Sequence, residues 1–229
     1  MSEMFRVGFL IFPDITQLDM TGPYQVFANT PGTALHLIWK TKDPITAQGG
    51  MQIVPDTSFA ECPQLDLICV PGGSGVAALM EDSGALHFLR TQAESAKYVT
   101  SVCTGSLVLA AAGLLDGYRA ACHWQWRELL EPLGAIPDEG RVVTDGNRIT
   151  GGGVTAGIDF GLTVVAKEFG EAVAKAVQLG IEYDPAPPFN SGSPKTASPE
   201  TLETVRQASQ KMREAREALI ERVIANRHT

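Results

Sequence analysis

Four short apolar runs, spaced so that helical patterns fit between them, constrain this chain more than any other feature. Residues 6–12 form a nearly unbroken apolar run that stops at Pro13, and residues 35–40, 65–70 and 98–102 repeat the pattern. Such runs, too short for helices and apolar throughout, read as strands buried on both faces. Helical patterns lie between them at 23–28, 76–80 and 84–96. Strand alternating with helix predicts an α/β fold, a doubly wound and mostly parallel sheet covered on both sides.

The second half continues the theme less regularly. Residues 106–112 are helix formers stopped by Gly113 to Gly117; 119–122 and 141–150 read as shorter strands, the latter a hairpin around Asp145-Gly146-Asn147. After the triglycine at 151–153, helices are expected over 155–168 and 171–181. Residues 184–199 hold five prolines and predict an extended arm. With Pro199 in its first turn, a charged helix then runs to about 226. Leu202, Val205, Met212, Ala215, Leu219, Ile220 and Val223 give it an apolar stripe. The expected organisation is an α/β domain over 1–183, with an arm and tail helix over 184–229 packing on the same domain or on a partner.

The totals bound the function. With 229 residues the chain can bury one full α/β core, and its net charge of −8 disfavours nucleic acid and anionic membranes, which attract basic patches. No apolar run reaches membrane-spanning length and no secretion signal opens the chain, so a soluble cytoplasmic protein is expected. The four cysteines (62, 69, 103, 122) show no C-x-x-C spacing, which argues against a zinc site or a disulfide framework.

Chemistry concentrates where strands end, since ligands of open α/β sheets bind beyond the carboxyl ends of the strands. Ser101-Val102-Cys103-Thr104-Gly105 stands between an apolar run and helix formers. A cysteine there sits on a sharp turn with small neighbours, aimed at the first free N–H groups of the next helix, an arrangement that favours thiolate. Asp19, between Leu18 and Met20 after the first strand, would face the cysteine and handle protons; two anions that close repel, so one of the pair should keep a proton. Pro71-Gly72-Gly73-Ser74-Gly75 follows the third strand. Gly73 to Ala78 matches G-x-G-x-x-A, but a dinucleotide motif belongs after a first strand and needs an acidic residue at a later strand end, where Glu94 is instead helical. The better use is a Gly73 N–H that supplies half of an anion-stabilising pocket, with the Thr104 N–H as the other half. His123 is either a base for Cys103 or a pocket wall stacked on Trp124. The backbone at Gly152, with Val154 opening the next helix, is either a close approach to the same pocket or a plain loop.

The order of an apolar strand, Leu-Asp-x-x-Gly-Pro, Pro-Gly-Gly, Ser-Val-Cys-Thr-Gly, His-Trp and Gly-Gly-Gly-x-x-x-Gly-x-Asp resembles the DJ-1/PfpI superfamily, in particular its isocyanide hydratases. The resemblance spans essentially the whole chain, including Pro-Ala-Pro-Pro-Phe-Asn at 185–190. It implies a flavodoxin-like fold, a homodimer, a nucleophile at Cys103 and an acidic partner at Asp19. It also implies hydration of an isocyanide to an N-substituted formamide, with an apolar pocket walled by Trp124 and Val154 and no cofactor or metal. Thr104 stands where protease-type members carry histidine, which argues against peptidase activity. DJ-1 itself pairs its cysteine with a glutamate where this chain has Asp19, which favours the hydratase branch over a DJ-1-like oxidation sensor or glyoxalase; a redox sensor is the alternative from a different class. A small-molecule-sensing domain is another, although a single helix after the arm offers no helix-turn-helix pair.

Overall fold

The computed structural model describes residues 4–227. Its centre is a seven-stranded sheet made by β1 (Phe5–Leu10), β2 (Thr33–Trp39), β3 (Thr57–Ser58), β4 (Leu67–Val70), β5 (Tyr98–Val102), β6 (Val142–Asp145) and β7 (Arg148–Gly151). The strand order is β6-β7-β5-β4-β1-β2-β3, parallel throughout except for the β6–β7 hairpin at one edge. The central strands are buried on both faces, as their unbroken apolar composition requires: every residue of β4 and β5 is buried.

Helices α1 (Gln17–Ala28), α5 (Ala156–Phe169) and α6 (Glu171–Gly180) cover one face; α2 (Val76–Met80), α3 (Ser83–Ala93) and α4 (Gly105–Ala111) cover the other. The doubly wound prediction holds. The arm carries no helix or strand, and the tail helix α7 (Pro199–Arg227) follows it and packs beside α2 and a 3₁₀ segment, Arg127–Leu133.

Two local expectations fail for identifiable reasons. The first helix begins at Gln17, six residues before Pro23, which lies inside it. A helix-breaking proline is held here because α1 packs tightly on α5, where Gly157 leaves room for the ring: a Cβ there would come within 2.8 Å of Pro23 Cδ. Residues 119–122 do not add a strand to the main sheet. Only Arg119–Ala120 is extended, and it pairs with Ile136–Pro137 as a small satellite. His123 therefore sits on a loop after that satellite, not at a central strand end.

Within the single chain the expected stripe on the tail helix is buried at one end only. Leu219, Ile220 and Val223 are buried, but Val205 and Met212 are exposed and Ala215 faces solvent. The residue that continues the buried face is Arg216, at the i, i+3, i+4, i+7 spacing with those three.

Candidate active site

Only Cys103 and Thr104 separate β5 from α4, and the reversal forces Cys103 to φ +58°, a left-handed conformation that a side chain rarely adopts and that costs on the order of 1–3 kcal/mol. The turn is locked from three sides. The Cys103 N–H donates to the Gly151 carbonyl at 3.0 Å, which ties the turn to the neighbouring strand β7. Gly105 packs so closely on β4 that a Cβ would overlap the Val70 carbonyl. Inside the helix start, Ser101 and Ser106 hydroxyls bond at 2.8 Å, and Ser106 donates on to the Ala121 carbonyl.

Asp19 arrives from the first turn of α1 and is wholly buried. Its Oδ2 accepts the Gly72 N–H at 2.8 Å, while Oδ1 has no donor in hydrogen-bonding geometry. Burial lifts the carboxyl to about 7; the Gly72 N–H and the Cys103 side chain pull it partly back. Cys103 is 6% exposed, and burial, then the Asp19 charge, push its thiol well above the usual range. The Thr104 N–H works the other way, as the elbow geometry predicts. Desolvation outweighs the thiolate-favouring helix start, and the carboxyl and thiol together hold at least one proton near neutrality.

A cavity of about 350 Å³ opens above Cys103. Thr16, Gln48 and Ser74 form one side, joined by a Thr16 hydroxyl that donates to Gln48 Oε1 (2.7 Å) and a Gln48 Nε2 that donates to Ser74 Oγ (2.9 Å). His123, Val154 and Trp126 form another, and the tail helix closes it with Met212 and Arg216.

Of the residues singled out in the sequence, Cys103, Thr104, Gly73, His123 and Val154 meet in this cavity, and buried Asp19 reaches Cys103 from beneath. Trp124 and Gly152 do not. They line an adjoining cavity of about 530 Å³ that shares His123 and Val154 with the first. The Gly152 N–H is bonded to the Arg141 carbonyl at 2.9 Å, as in a plain loop. The aromatic wall is Trp126, two residues further on.

Gly73 is present but in a different capacity. Its N–H donates to Thr104 Oγ1 at 3.1 Å and so is not free for an anion. The G-x-G-x-x-A glycines serve backbone packing: Gly73 sits at φ +141° and a Cβ would approach Thr16 N at 2.7 Å, while one at Gly75 would strike the Pro13 carbonyl. His123 tilts against Trp124 with ring centroids 5.9 Å apart, and its Nδ1 accepts the Gln125 N–H at 3.4 Å. It makes no hydrogen bond to Cys103, and burial holds its ring below the usual histidine range, so the wall reading is the one the geometry favours.

Arg216 escaped the sequence reading. It is 4% exposed and stacks over Trp126 at 4.2 Å from the ring centroid, and Nη2 donates to the Gly73 carbonyl at 3.1 Å. Its one sequence signal was position, since it falls in register with three buried apolar residues of the tail. Among the described residues no group of three or more His, Cys, Asp or Glu could hold a metal ion, and all four cysteines are free. No described helix is long and apolar enough to cross a membrane.

The DJ-1/PfpI family pattern matches residues 5–167. The chain belongs to the DJ-1/PfpI family. It is 54% identical, over 220 residues covering 96% of each chain, to the isonitrile hydratase of Pseudomonas putida. It matches a helix-turn-helix transcriptional regulator of Pseudomonas aeruginosa at 31% identity over 78% of this chain but only 50% of that one. Among solved structures, a ThiJ/PfpI family protein from Pseudomonas syringae superimposes with a TM-score of 0.93 at 43% identity, covering 95% of this chain and 90% of that chain.

Proposed function

We propose that this DJ-1/PfpI protein is an isocyanide (isonitrile) hydratase, a hydro-lyase that converts R–N≡C and water to R–NH–CHO. The observation that carries this reading is the 54% identity to a hydratase of that name across 96% of both chains. The regulator-type alternative rests on half of a relative's length, and the redox-sensor alternative on a DJ-1alpha match at 32% identity over 59% of this chain.

The site supports a covalent route through Cys103 and Asp19. In the one-proton state of the pair, the sulfur attacks the terminal isocyanide carbon and Asp19 delivers the proton to that carbon, giving the thioimidate Cys103–S–CH=N–R. Water then adds across C=N: its oxygen bonds to the carbon, one proton passes through the Asp19 carboxylate, and the nitrogen becomes N–H. The C–S bond of the S–CH(OH)–NH–R adduct breaks, sulfur leaves with the electron pair, and the hydroxyl proton returns to the Asp19–Cys103 pair. The sum is R–N≡C plus water to the formamide, with no oxidant or cofactor consumed. Thr104 supports sulfur through its N–H, and Val154 and Trp126 offer apolar walls to R.

The finer features belong to the same reading: a cytoplasmic enzyme, in keeping with four free thiols, and a homodimer of chains each divided into an α/β domain (1–183) and an arm with tail helix (184–229). The deciding experiment incubates purified protein with alkyl and aryl isocyanides and follows the formamide carbonyl by infrared absorbance. Formamide production that Cys103→Ala abolishes is the expected result; absence of product with every isocyanide overturns the reading.

A further inference from the structure

The anion-stabilising pocket expected from Gly73 and Thr104 is half missing. The Gly73 N–H is taken by Thr104 Oγ1 and the neighbouring Gly72 N–H by Asp19, so neither glycine N–H is left for a substrate-derived oxygen. On the same residue, the Gly73 carbonyl holds the Arg216 guanidinium at the cavity wall. A cation was brought from the far end of the chain to the place where a glycine N–H was expected.

Arg216 is also electrostatically unfinished. It forms no ion pair with a carboxylate among the described residues, and its Nη1 is buried without a hydrogen-bond partner. Burying an unpaired charge is strongly unfavourable, and here the Trp126 face and one carbonyl are what offset it among the described residues. Such a group is out of place in a helix whose other buried residues are aliphatic, unless the missing anion arrives during the reaction.

We infer that Arg216 is a catalytic residue of the hydration step, its guanidinium donating to the oxygen that water places on the thioimidate carbon. The inference rests on the hydratase reading above. It assigns the tail helix a part in the chemistry: α7 closes the cavity and carries the oxygen's donor, while Asp19 and Cys103 handle the proton and the carbon. No such oxygen exists in the first half-reaction. Arg216 should therefore act after the C–S bond has formed and leave thioimidate formation alone.

The test compares wild type, Arg216→Met (apolar, able to pack on Trp126) and Arg216→Lys (charge kept, one donor atom), each first checked for a native melting transition. Steady-state turnover is read alongside rapid-quench mass spectrometry of Cys103. Loss of a single oxyanion donor costs about 10²–10³-fold in kcat, so once hydrolysis limits turnover Arg216→Met should fall toward that order in kcat, with KM falling alongside and kcat/KM nearly unchanged. It should also accumulate the Cys103 adduct, at the mass of protein plus isocyanide, that wild type clears. Added guanidinium should restore part of the rate, and Arg216→Lys should lie between. Wild-type kcat in a folded Arg216→Met or Arg216→Lys protein overturns the inference. So does a loss with no adduct and no response to guanidinium, which marks a packing role only. A wild type that makes no formamide sinks the hydratase reading itself and is told apart by that control.

Discussion

A carboxyl and a thiol buried against each other are set by desolvation before anything else. Asp19 at about 7 loses its proton within the physiological range while the Cys103 thiol still holds its own, so the pair passes from two protons to one near pH 7. The one-proton form is the one that can both attack and protonate. The kcat/KM for an isocyanide should climb as pH rises through about 7, and Asp19→Asn should abolish both that limb and most of the rate; a flat wild-type profile from pH 6 to 8 would contradict this. The same burial has a stability cost. The folded carboxyl titrates at about 7 and the unfolded one near 3.8, so the folded state keeps a proton that the unfolded state releases. Wild type should lose stability as pH rises between those values and then level off. Three units correspond to on the order of 4 kcal/mol. Asp19→Asn should gain in melting temperature relative to wild type across that window, with little difference at pH 4; a gap independent of pH would show that the carboxyl is not the cause.

At the scale of elements, the elbow and the tail helix set the geometry that the residues use. Gly105 lies against the Val70 carbonyl where β4 passes α4. Gly105→Ala must push backbone apart and should cost at least about 3 kcal/mol by denaturant titration, a backbone clash being worse than ordinary overpacking. An unchanged midpoint would mean that the turn relaxes freely. Because Leu219, Ile220 and Val223 fix α7 in place, Ile220→Ala should lower stability by about 2–5 kcal/mol. It should also slow turnover although it touches no reacting atom, since the same helix walls the cavity with Met212 and Arg216. Lost stability with fully retained kcat would separate the helix from the site. The stripe on α7 was legible only in part. Period 3.6 marks which residues could share a face, but whether Met212 and Val205 or Arg216 turn inward depends on what stands opposite, here Trp126 and the Gly73 carbonyl.

For the whole molecule, the exposed side chains of Leu179 (81%) and Phe189 (78%) are large apolar surfaces left outside the fold. Light scattering should return twice the mass of one chain, and Phe189→Ser should shift the mass toward a single chain; a wild type scattering as one chain would rule the dimer out. The fold itself was legible because buried parallel strands must be apolar throughout, so residues 6–12, 65–70 and 98–102 announced both their conformation and their place at the centre of the sheet. Cys103 was legible for a related reason: a strand, a small-residue turn and a helix in that order leave one position standing above the sheet. Asp19 was found although its helix was started six residues late, because the turn after the first strand had to lie near the elbow whichever way it coiled. Local composition could not reveal which donors were already taken. The Gly73 N–H was lost to a hydroxyl 31 positions away, Trp124 and Trp126 exchanged parts on a loop without period, and Arg216 crossed 143 positions to reach the Gly73 carbonyl. Sequence determined the sheet and the elbow that carries Cys103 because both follow from neighbours along the chain. The tertiary structure alone decided the rest of the site, since hydrogen bonds and buried charge are allotted among groups that meet only once the chain has folded.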